Sequence, residues 1–254
     1  MSKRSRVGVV VTYALLAAAT IAAVCVIDTS CERKHGSQAA MIEQADAHSS
    51  RVYSVYLIWI RDREKWDRYR ELVAPIARRY GAVERSLVPN KVYFEGHTAP
   101  DLVNVVYSDS GAQLDNLAKD PAFQRIVHLR SESVDMMSVH ADAIGGAVSN
   151  AAIERRAYLL EIAQFGPEGA AGYQRYESES EPVLRRYGYH VERVLRVHER
   201  SPGFAFEPQL VKVAYFEEAD GMAKMEADAE HARIEALYPL AVKASIWIFA
   251  SALQ

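Results

Sequence analysis

Two side chains in this sequence have the type and setting for proton transfer. His97 follows Glu95 and Gly96 in a predicted loop, and a histidine exchanges protons near neutral pH. Glu161 stands in an otherwise apolar predicted strand, where burial of an unpaired carboxylate is costly and raises its pKa. Ordinary alternatives stay open, a solvated loop histidine for His97 and an arginine partner such as Arg196 for Glu161. Both residues are therefore candidate catalytic groups.

A second set of polar residues lies at even positions of a predicted strand. His190, Glu192, Arg196 and His198 would share one face if the strand were unbroken. Such a face forms either a pocket wall or a solvent-exposed edge. With Trp59 from the first predicted strand, His190 and Arg196 are the candidates for lining a ligand pocket.

The sequence lacks the motifs of several other kinds of chemistry. Its eight histidines are scattered, and none forms an H-E-x-x-H pair. There is no glycine-rich phosphate loop and no G-x-S-x-G elbow. We therefore predict no metal and no cofactor.

The 30 basic and 33 acidic residues leave no basic face for nucleic acid. Both cysteines, Cys25 and Cys31, precede the predicted fold, which therefore contains no disulfide.

The elements that position these candidates repeat in the order β-α-β-β-α-β. In the first copy we predict strands at Tyr53–Ile60, Val83–Val88 with a hairpin arm at Lys91–Glu95, Leu102–Tyr107 and Met136–Ala143, and helices that begin at Asp62, Asp109 and Asp120. In the second copy we predict strands at Ala157–Ala163, Tyr189–Val197, the segment from Leu210 and Trp247–Ala250. Alternating apolar residues and turn signals carry these assignments.

The tetrapeptide RRYG marks the repeat, since it occurs at 78–81 and again at 185–188. A tyrosine and a proline precede both copies at the same spacing, which indicates a tandem duplication. Each tetrapeptide is predicted to end a helix, with glycine as the left-handed stop and the arginines in solvent. An alignment of Tyr56 with Tyr158 would pair Trp59 with Glu161.

The β-α-β-β-α-β order is the ferredoxin-like motif, an antiparallel sheet with helices on one face. The other face must be buried, and the second copy is the evident partner. The predicted fold class is α+β: two tandem ferredoxin-like units that pair face to face as a barrel within one chain. A homodimer is then not required, and a small apolar or aromatic ligand is expected between the two sheets.

The N-terminus reads as a membrane anchor. Residues 7–27 carry no charge, and at about 1.5 Å per residue they match a bilayer core of about 30 Å. Basic residues precede them, which predicts a cytoplasmic tail at 1–6 and an extracytoplasmic remainder. After the anchor we expect a linker at 28–50, a first ferredoxin-like unit at 51–148 and a second at 149–254. Cleavage as a signal peptide followed by secretion, or lipidation at a cysteine, are the alternatives.

Several segments of the first copy resemble a known family. They are YLIWIRDREKWDRYRELVAPIARRYGA, EGHTAPDLVNVVYSD and AKDPAFQRIVHLR, and they are similar to DUF1330 proteins of the dimeric α+β barrel superfamily. The resemblance covers Tyr53 to Ile144. The second copy departs from it at Asp228-Ala229, His231 and Tyr238 and is also similar to NIPSNAP and EthD proteins. The superfamily implies small monooxygenases, isomerases, haem-handling enzymes or members without known activity, usually as homodimers.

The expected function is therefore a membrane-anchored, extracytoplasmic barrel that binds a small molecule between its sheets. The first alternative is a cofactor-independent monooxygenase or isomerase that acts through His97 or Glu161. The second alternative is a purely structural module with a solid barrel. Fold analogy raises the expectation of a pocket but fixes no chemistry.

Overall fold

The computed structural model of the protein describes residues 51–146, 157–218 and 220–253. The predicted anchor at 7–27 lies outside these residues. Within the described ranges, no helix is both long enough and apolar enough to cross a membrane.

The first half of the described chain, residues 51–146, contains four strands and three helices. They are β1 Val52–Ile60, α1 Arg63–Arg79, β2 Val83–Tyr93, β3 Leu102–Ser108, α2 Gly111–Lys119, α3 Pro121–Ser133 and β4 Val134–Gly145. Helix α1 begins where the Asp62 side chain accepts a hydrogen bond from the backbone N–H of Lys65, as predicted. It ends before Gly81, whose φ of +65° favours glycine.

The second half, described over residues 157–253 except 219, repeats the strand order. Its elements are β5 Ala157–Phe165, α4 Gly169–Arg185, β6 Tyr189–Arg200, β7 Leu210–Phe216, α5 Gly221–Glu226, α6 Ala229–Glu235, α7 Tyr238–Ala241 and β8 Val242–Ala252. Short helices replace the single long second helix expected from the motif, because Asp228 caps α6 and a proline starts α7.

All eight strands form one closed antiparallel barrel in the order β1-β3-β2-β8-β5-β7-β6-β4. Each half contributes four neighbouring strands in the ferredoxin-like order. The halves join edge to edge, through β2 with β8 and β4 with β6. The predicted α+β barrel is confirmed, but its two sheets are joined at their edges rather than merely stacked. Closure leaves no unpaired sheet edge between the halves.

The barrel interior is filled with side chains from both halves. Its most buried members include Leu57, Leu87, Val139, Leu195 and Ile248, each at 0% exposure. Such packing leaves interiors with few voids larger than a water molecule. The expected ligand position between the sheets is therefore corrected: the cavity described below lies on the opposite, helix-covered face.

Strand β2 differs from its predicted division into a strand and a hairpin arm. It runs without interruption from Val83 to Tyr93, and its pairing with β8 shifts register between Pro89 and Lys91. Proline donates no backbone hydrogen bond and is accommodated at such a bulge. The Pro-Asn pair thus bends a strand instead of turning the chain.

The repeated tetrapeptide forms the same clasp in each half. Tyr80 donates its hydroxyl to Asp120 at 2.8 Å, and Arg79 lies 3.1 Å from the same carboxylate. Asp120 also caps α3 through the backbone N–H groups of the next turn. The second arginine of each RRYG thus binds an aspartate, which corrects the prediction that both point to solvent.

In the second half, Arg186 and Tyr187 bind Asp228 in the same way. Asp228 in turn caps α6. We call each set of contacts a clasp. Each clasp joins the end of the first helix to the start of a later helix, so both halves fasten their helices to one another through the same contacts.

Candidate functional site

A cavity of about 530 Å³ lies between the first-half sheet and its helices. We call it the helix-side cavity. Strands β1, β3 and β4 form its floor, and α1, α2 and α3 form its cover. Aromatic rings form part of its wall, namely those of Tyr56, Trp66, Tyr69 and Phe123, beside aliphatic and charged side chains. This size and lining are those of a small-molecule site.

Two buried polar atoms of the cavity wall have no hydrogen-bond partner among the described residues, namely Trp66 Nε1 and Asn104 Oδ1. Trp66 is 2% exposed and Asn104 is 5% exposed. The other end of the Asn104 amide is satisfied, because Nδ2 donates to Glu84 Oε1 at 2.8 Å. A buried donor and a buried acceptor left unpaired are each unfavourable.

His140 of β4 brings a titratable group to the cavity. Its Nδ1 lies 2.8 Å from Ser54 Oγ, and the edge of the Tyr56 ring faces it at a centroid distance of 6.3 Å. Burial lowers the pKa of His140, opposed by the nearby carboxylate of Glu199 and assisted by His198. The uncharged imidazole, which can accept a proton, is therefore the favoured form near neutral pH.

The second half supplies part of this site. Strand β6 pairs with β4 and carries His198 and Glu199 to the cavity rim. His198 Nδ1 lies 3.3 Å from Asp142 Oδ2 of β4. The cavity is therefore built by both halves, although most of its wall belongs to the first.

Tyr69 and Arg130 join α1 to α3, two of the three covering helices. Burial raises the pKa of Tyr69, while its contact with the Arg130 guanidinium acts in the opposite direction. The Tyr69 ring stacks on Trp66 at a centroid distance of 5.6 Å. These contacts fix the orientation of the aromatic wall.

The equivalent space of the second half is filled by a buried ionic network. Glu161, fully buried, lies 2.8 Å from the ammonium of Lys212, which in turn lies 2.7 Å from Glu177. The hydroxyls of Tyr173 and Tyr238 donate to Glu161 at 2.8 and 2.7 Å. This hydrogen bonding satisfies both carboxylate oxygens of Glu161.

Electrostatics of this network favour a charged lysine. Burial acts to lower the pKa of Lys212, but the carboxylates of Glu161 and Glu177 outweigh it and raise the pKa well above its ordinary value. Burial raises the pKa of Glu177, against the effect of Lys212. Glu161 thus has a lysine partner instead of the arginine considered from sequence, and its surroundings are those of a structural ion cluster.

Strand register corrects the alignment of the two first strands. Tyr56 pairs with Asn104, and Glu161 pairs with Lys212. Glu161 therefore corresponds to Tyr56, whereas Trp59 faces the barrel interior.

Neither His97 nor Trp59 lines the helix-side cavity. His97 is exposed in the turn after β2 and stacks on Phe94 at a centroid distance of 4.1 Å. Trp59 is half-buried at a barrel end, where its Nε1 donates to the carbonyl of Thr98 at 3.1 Å.

His190 and Arg196 are both exposed on β6, outside the cavity. His190 Nε2 lies 2.7 Å from Glu217 and its ring stacks on Tyr215. A register shift between Val191 and Arg193 breaks the alternation, so the predicted shared face does not form. The bulge instead buries Glu192, which pairs with Arg85 of β2, on the opposite side of the closed barrel from β6.

Asn104 and His140 were missed in the sequence, although a signal was present for Asn104. Asn104 interrupts the apolar strand LVNVVY in the same manner as Glu161 interrupts its own. The same criterion, a polar residue in a buried strand, identifies both positions. His140 gave no comparable signal, because its neighbours in β4 are of mixed character.

A larger depression, of about 840 Å³, is open to solvent around Gly166 and Lys243. It lacks the enclosing walls and the unpaired buried polar groups of the helix-side cavity, so we assign the candidate site to the latter. Within residues 51–146, 157–218 and 220–253, no group of three or more His, Cys, Asp and Glu side chains could hold a metal ion.

Comparison with known proteins supports this fold. Residues 51–143 match the family described as "Domain of unknown function (DUF1330)". No curated protein matches the chain by sequence.

Three solved structures illustrate the similarity. An anthrone oxidase-like protein has a TM-score of 0.55 at 10% identity, covering 82% of this chain and 93% of its own. A putative monooxygenase from Lactobacillus acidophilus NCFM has 0.50 at 10% identity, with 81% and 100% covered. A mutant chlorite dismutase from Candidatus Nitrospira defluvii in complex with cyanide has 0.51 at 10% identity, with 84% and 94% covered. The predicted resemblance of the first half is thus confirmed: residues 51–143 match the DUF1330 family, and the three solved structures share the fold of the barrel.

Proposed function

We propose that this protein binds a small, largely aromatic molecule in the helix-side cavity of its first half. The observation that carries the proposal is the contrast between the halves. The same space is open and ring-lined in the first half but filled by Glu161, Lys212 and their partners in the second. The aromatic residues of this wall suit a flat ring, and its charged and polar side chains leave places for polar groups on that ring.

A second candidate function is proton-transfer catalysis on such a ligand. His140 favours it, because a half-buried, uncharged imidazole at the cavity wall can accept a proton from an acidic C–H or O–H group. The names of two similar structures, an anthrone oxidase-like protein and a putative monooxygenase, support an enzyme. They support the class and no particular substrate.

The surrounding architecture is part of the proposal. We infer that units 51–148 and 149–254 descend from a tandem duplication, supported by their shared strand order and repeated clasp. Residues 7–27 would anchor the chain, with the barrel extracytoplasmic. A reporter fused after Gln254 tests this topology, since activity only in the cytoplasm would exclude it.

Binding is tested by thermal shift of the full chain with bicyclic and tricyclic aromatics. The decisive variant is Val73→Trp, because Val73 lines the helix-side cavity and a larger ring there would occupy it. Leu240→Trp is the control, since Leu240 is 57% exposed on the other half. We expect shifts in the wild type and the control but none in Val73→Trp. Absence of any shift, or equal shifts in all three proteins, would overturn the proposal.

A further inference from the structure

The helix-side cavity presents a donor without a partner. In the second half, Tyr173 corresponds to Trp66, since each lies nine residues before the proline of its helix. The Tyr173 hydroxyl donates to Glu161 across the helix–sheet interface. In the first half, Trp66 Nε1 extends from the same helical position but has no acceptor among the described residues. A group that enters the cavity and accepts a hydrogen bond would supply what Glu161 supplies in the other half.

The cavity also presents an acceptor without a partner. Asn104 stands at the strand position of Lys212, whose ammonium is satisfied by two carboxylates. The Asn104 amide has its nitrogen end committed to Glu84, which fixes Oδ1 as the free end. A bound group must therefore donate a hydrogen bond to Asn104.

Charges around the cavity do not select an ion. The arginines Arg70 and Arg130 line it together with the carboxylates of Glu84, Asp115 and Glu199. Arg130 is engaged by Tyr69 and Glu84 by Asn104, and the two arginines offset two of the three carboxylates. The two unpaired atoms are both parts of neutral groups, which pair best with a neutral ligand.

We propose that the helix-side cavity is selective for neutral hydroxyaromatic molecules, whose hydroxyl accepts from Trp66 Nε1 and donates to Asn104 Oδ1. One hydroxyl provides both roles, because it carries a donor and two acceptor lone pairs. The ring occupies the space between Tyr56 and Phe123. This inference rests on the proposed function and adds the chemical class of the ligand.

Three probes separate the two contacts, namely 2-naphthol, 2-methoxynaphthalene and naphthalene. The ether accepts but cannot donate, and the hydrocarbon does neither. For the wild-type full chain we expect 2-naphthol to bind about tenfold more tightly than naphthalene, with the ether between them. Binding is measured by calorimetry or by quenching of tryptophan fluorescence.

The variants assign each contact. Trp66→Phe should lower the affinity for 2-naphthol and the ether by about fivefold each relative to naphthalene, whereas Asn104→Leu should lower only that for 2-naphthol. Asn104→Val serves if Asn104→Leu fails to fold. Trp59→Phe and Asn90→Leu are matched controls, since their polar atoms are already bonded outside the cavity, and they should leave the ratios unchanged.

The outcomes distinguish this inference from the proposed function. If none of the three probes binds, both are overturned. If the probes bind with equal affinity, or if the ratios are the same in Trp66→Phe, Asn104→Leu and the wild type, the cavity binds ligands but the hydroxyaromatic selectivity is wrong.

Discussion

Replacement of Lys212 by methionine would test the ionic network of the second half. The ammonium lies between Glu161 and Glu177, and its side chain is only 2% exposed. Methionine keeps much of the side-chain volume but removes the charge. Glu161, which is fully buried, would then hold a carboxylate without a counter-charge.

The expected cost follows from that burial. Removal of one partner from a buried ion pair destabilises a protein by about 3–5 kcal/mol, because the remaining charge is neither solvated nor paired. For a folded region of this size, that corresponds to a fall in Tm of about 6–20 °C. Glu177 retains 22% exposure and can rehydrate, so Glu161 accounts for most of the cost.

Stability should also acquire a new pH dependence. Burial raises the pKa of Glu177, and without the ammonium the opposing effect of Lys212 is lost, so this carboxyl takes up a proton more readily in the folded state than in the unfolded state. The variant should therefore become more stable as the pH falls from 8 to about 5. In the wild type, the raised pKa of Lys212 contributes stability that is complete below 10.5 and lost as the pH rises through the folded-state value.

Urea unfolding at pH 8 and pH 5 measures both effects. Lys224→Met is the control, because Lys224 forms only an exposed i,i+4 pair with Asp220. The double variant Glu161→Gln, Lys212→Met should recover part of the loss, since it removes both charges. A Lys212→Met protein within 1 kcal/mol of the wild type at pH 8 would refute the reasoning.

Two further predictions concern the first half and the clasps. His140→Gln should lose less stability than the wild type when the pH falls below about 6.5. The reason is that the lowered pKa of His140 contributes stability that is present above 6.5 and lost as the pH falls through the folded-state value. Urea midpoints that shift equally between pH 7 and pH 5 in the variant and the wild type would contradict this. Asp120→Ala and Asp228→Ala should each lower the Tm by about 2–8 °C, since each removes a helix cap and the tyrosine contact. Calorimetry that finds one of them neutral would show that the clasps are not equivalent.

Much of the fold could be predicted because local signals agreed. Strand β1 was marked by β-branched and aromatic residues, and Asp62 and Gly81 marked the ends of α1. The repeat then fixed the pairing of the halves. The bulges could not be predicted, because register depends on which strand lies opposite. The bulges near Pro89 and Val191 changed which side chains of β2 and β6 share a face.

The site was harder to locate because its residues are distant in sequence. Ser54 and His140 meet only through the pairing of β1 with β4, and His198 arrives from the other half. The prediction also expected the pocket between the two sheets, whereas the cavity lies on the helix-covered face. Alternation told which residues share a face, but it did not tell whether the interior of a closed barrel is wide enough to stay open.

The two clasps have a consequence for how the halves can change. In each half, an arginine and a tyrosine from one helix bind the aspartate that starts another, at the end of the helical layer. Because the helices are fastened there, their spacing over the sheet does not depend on what lies between them. The second half can therefore hold an ion cluster and the first half a cavity beneath helices that are fastened in the same way. The residues inside each compartment can therefore change without loss of the contacts that fasten the helices to one another.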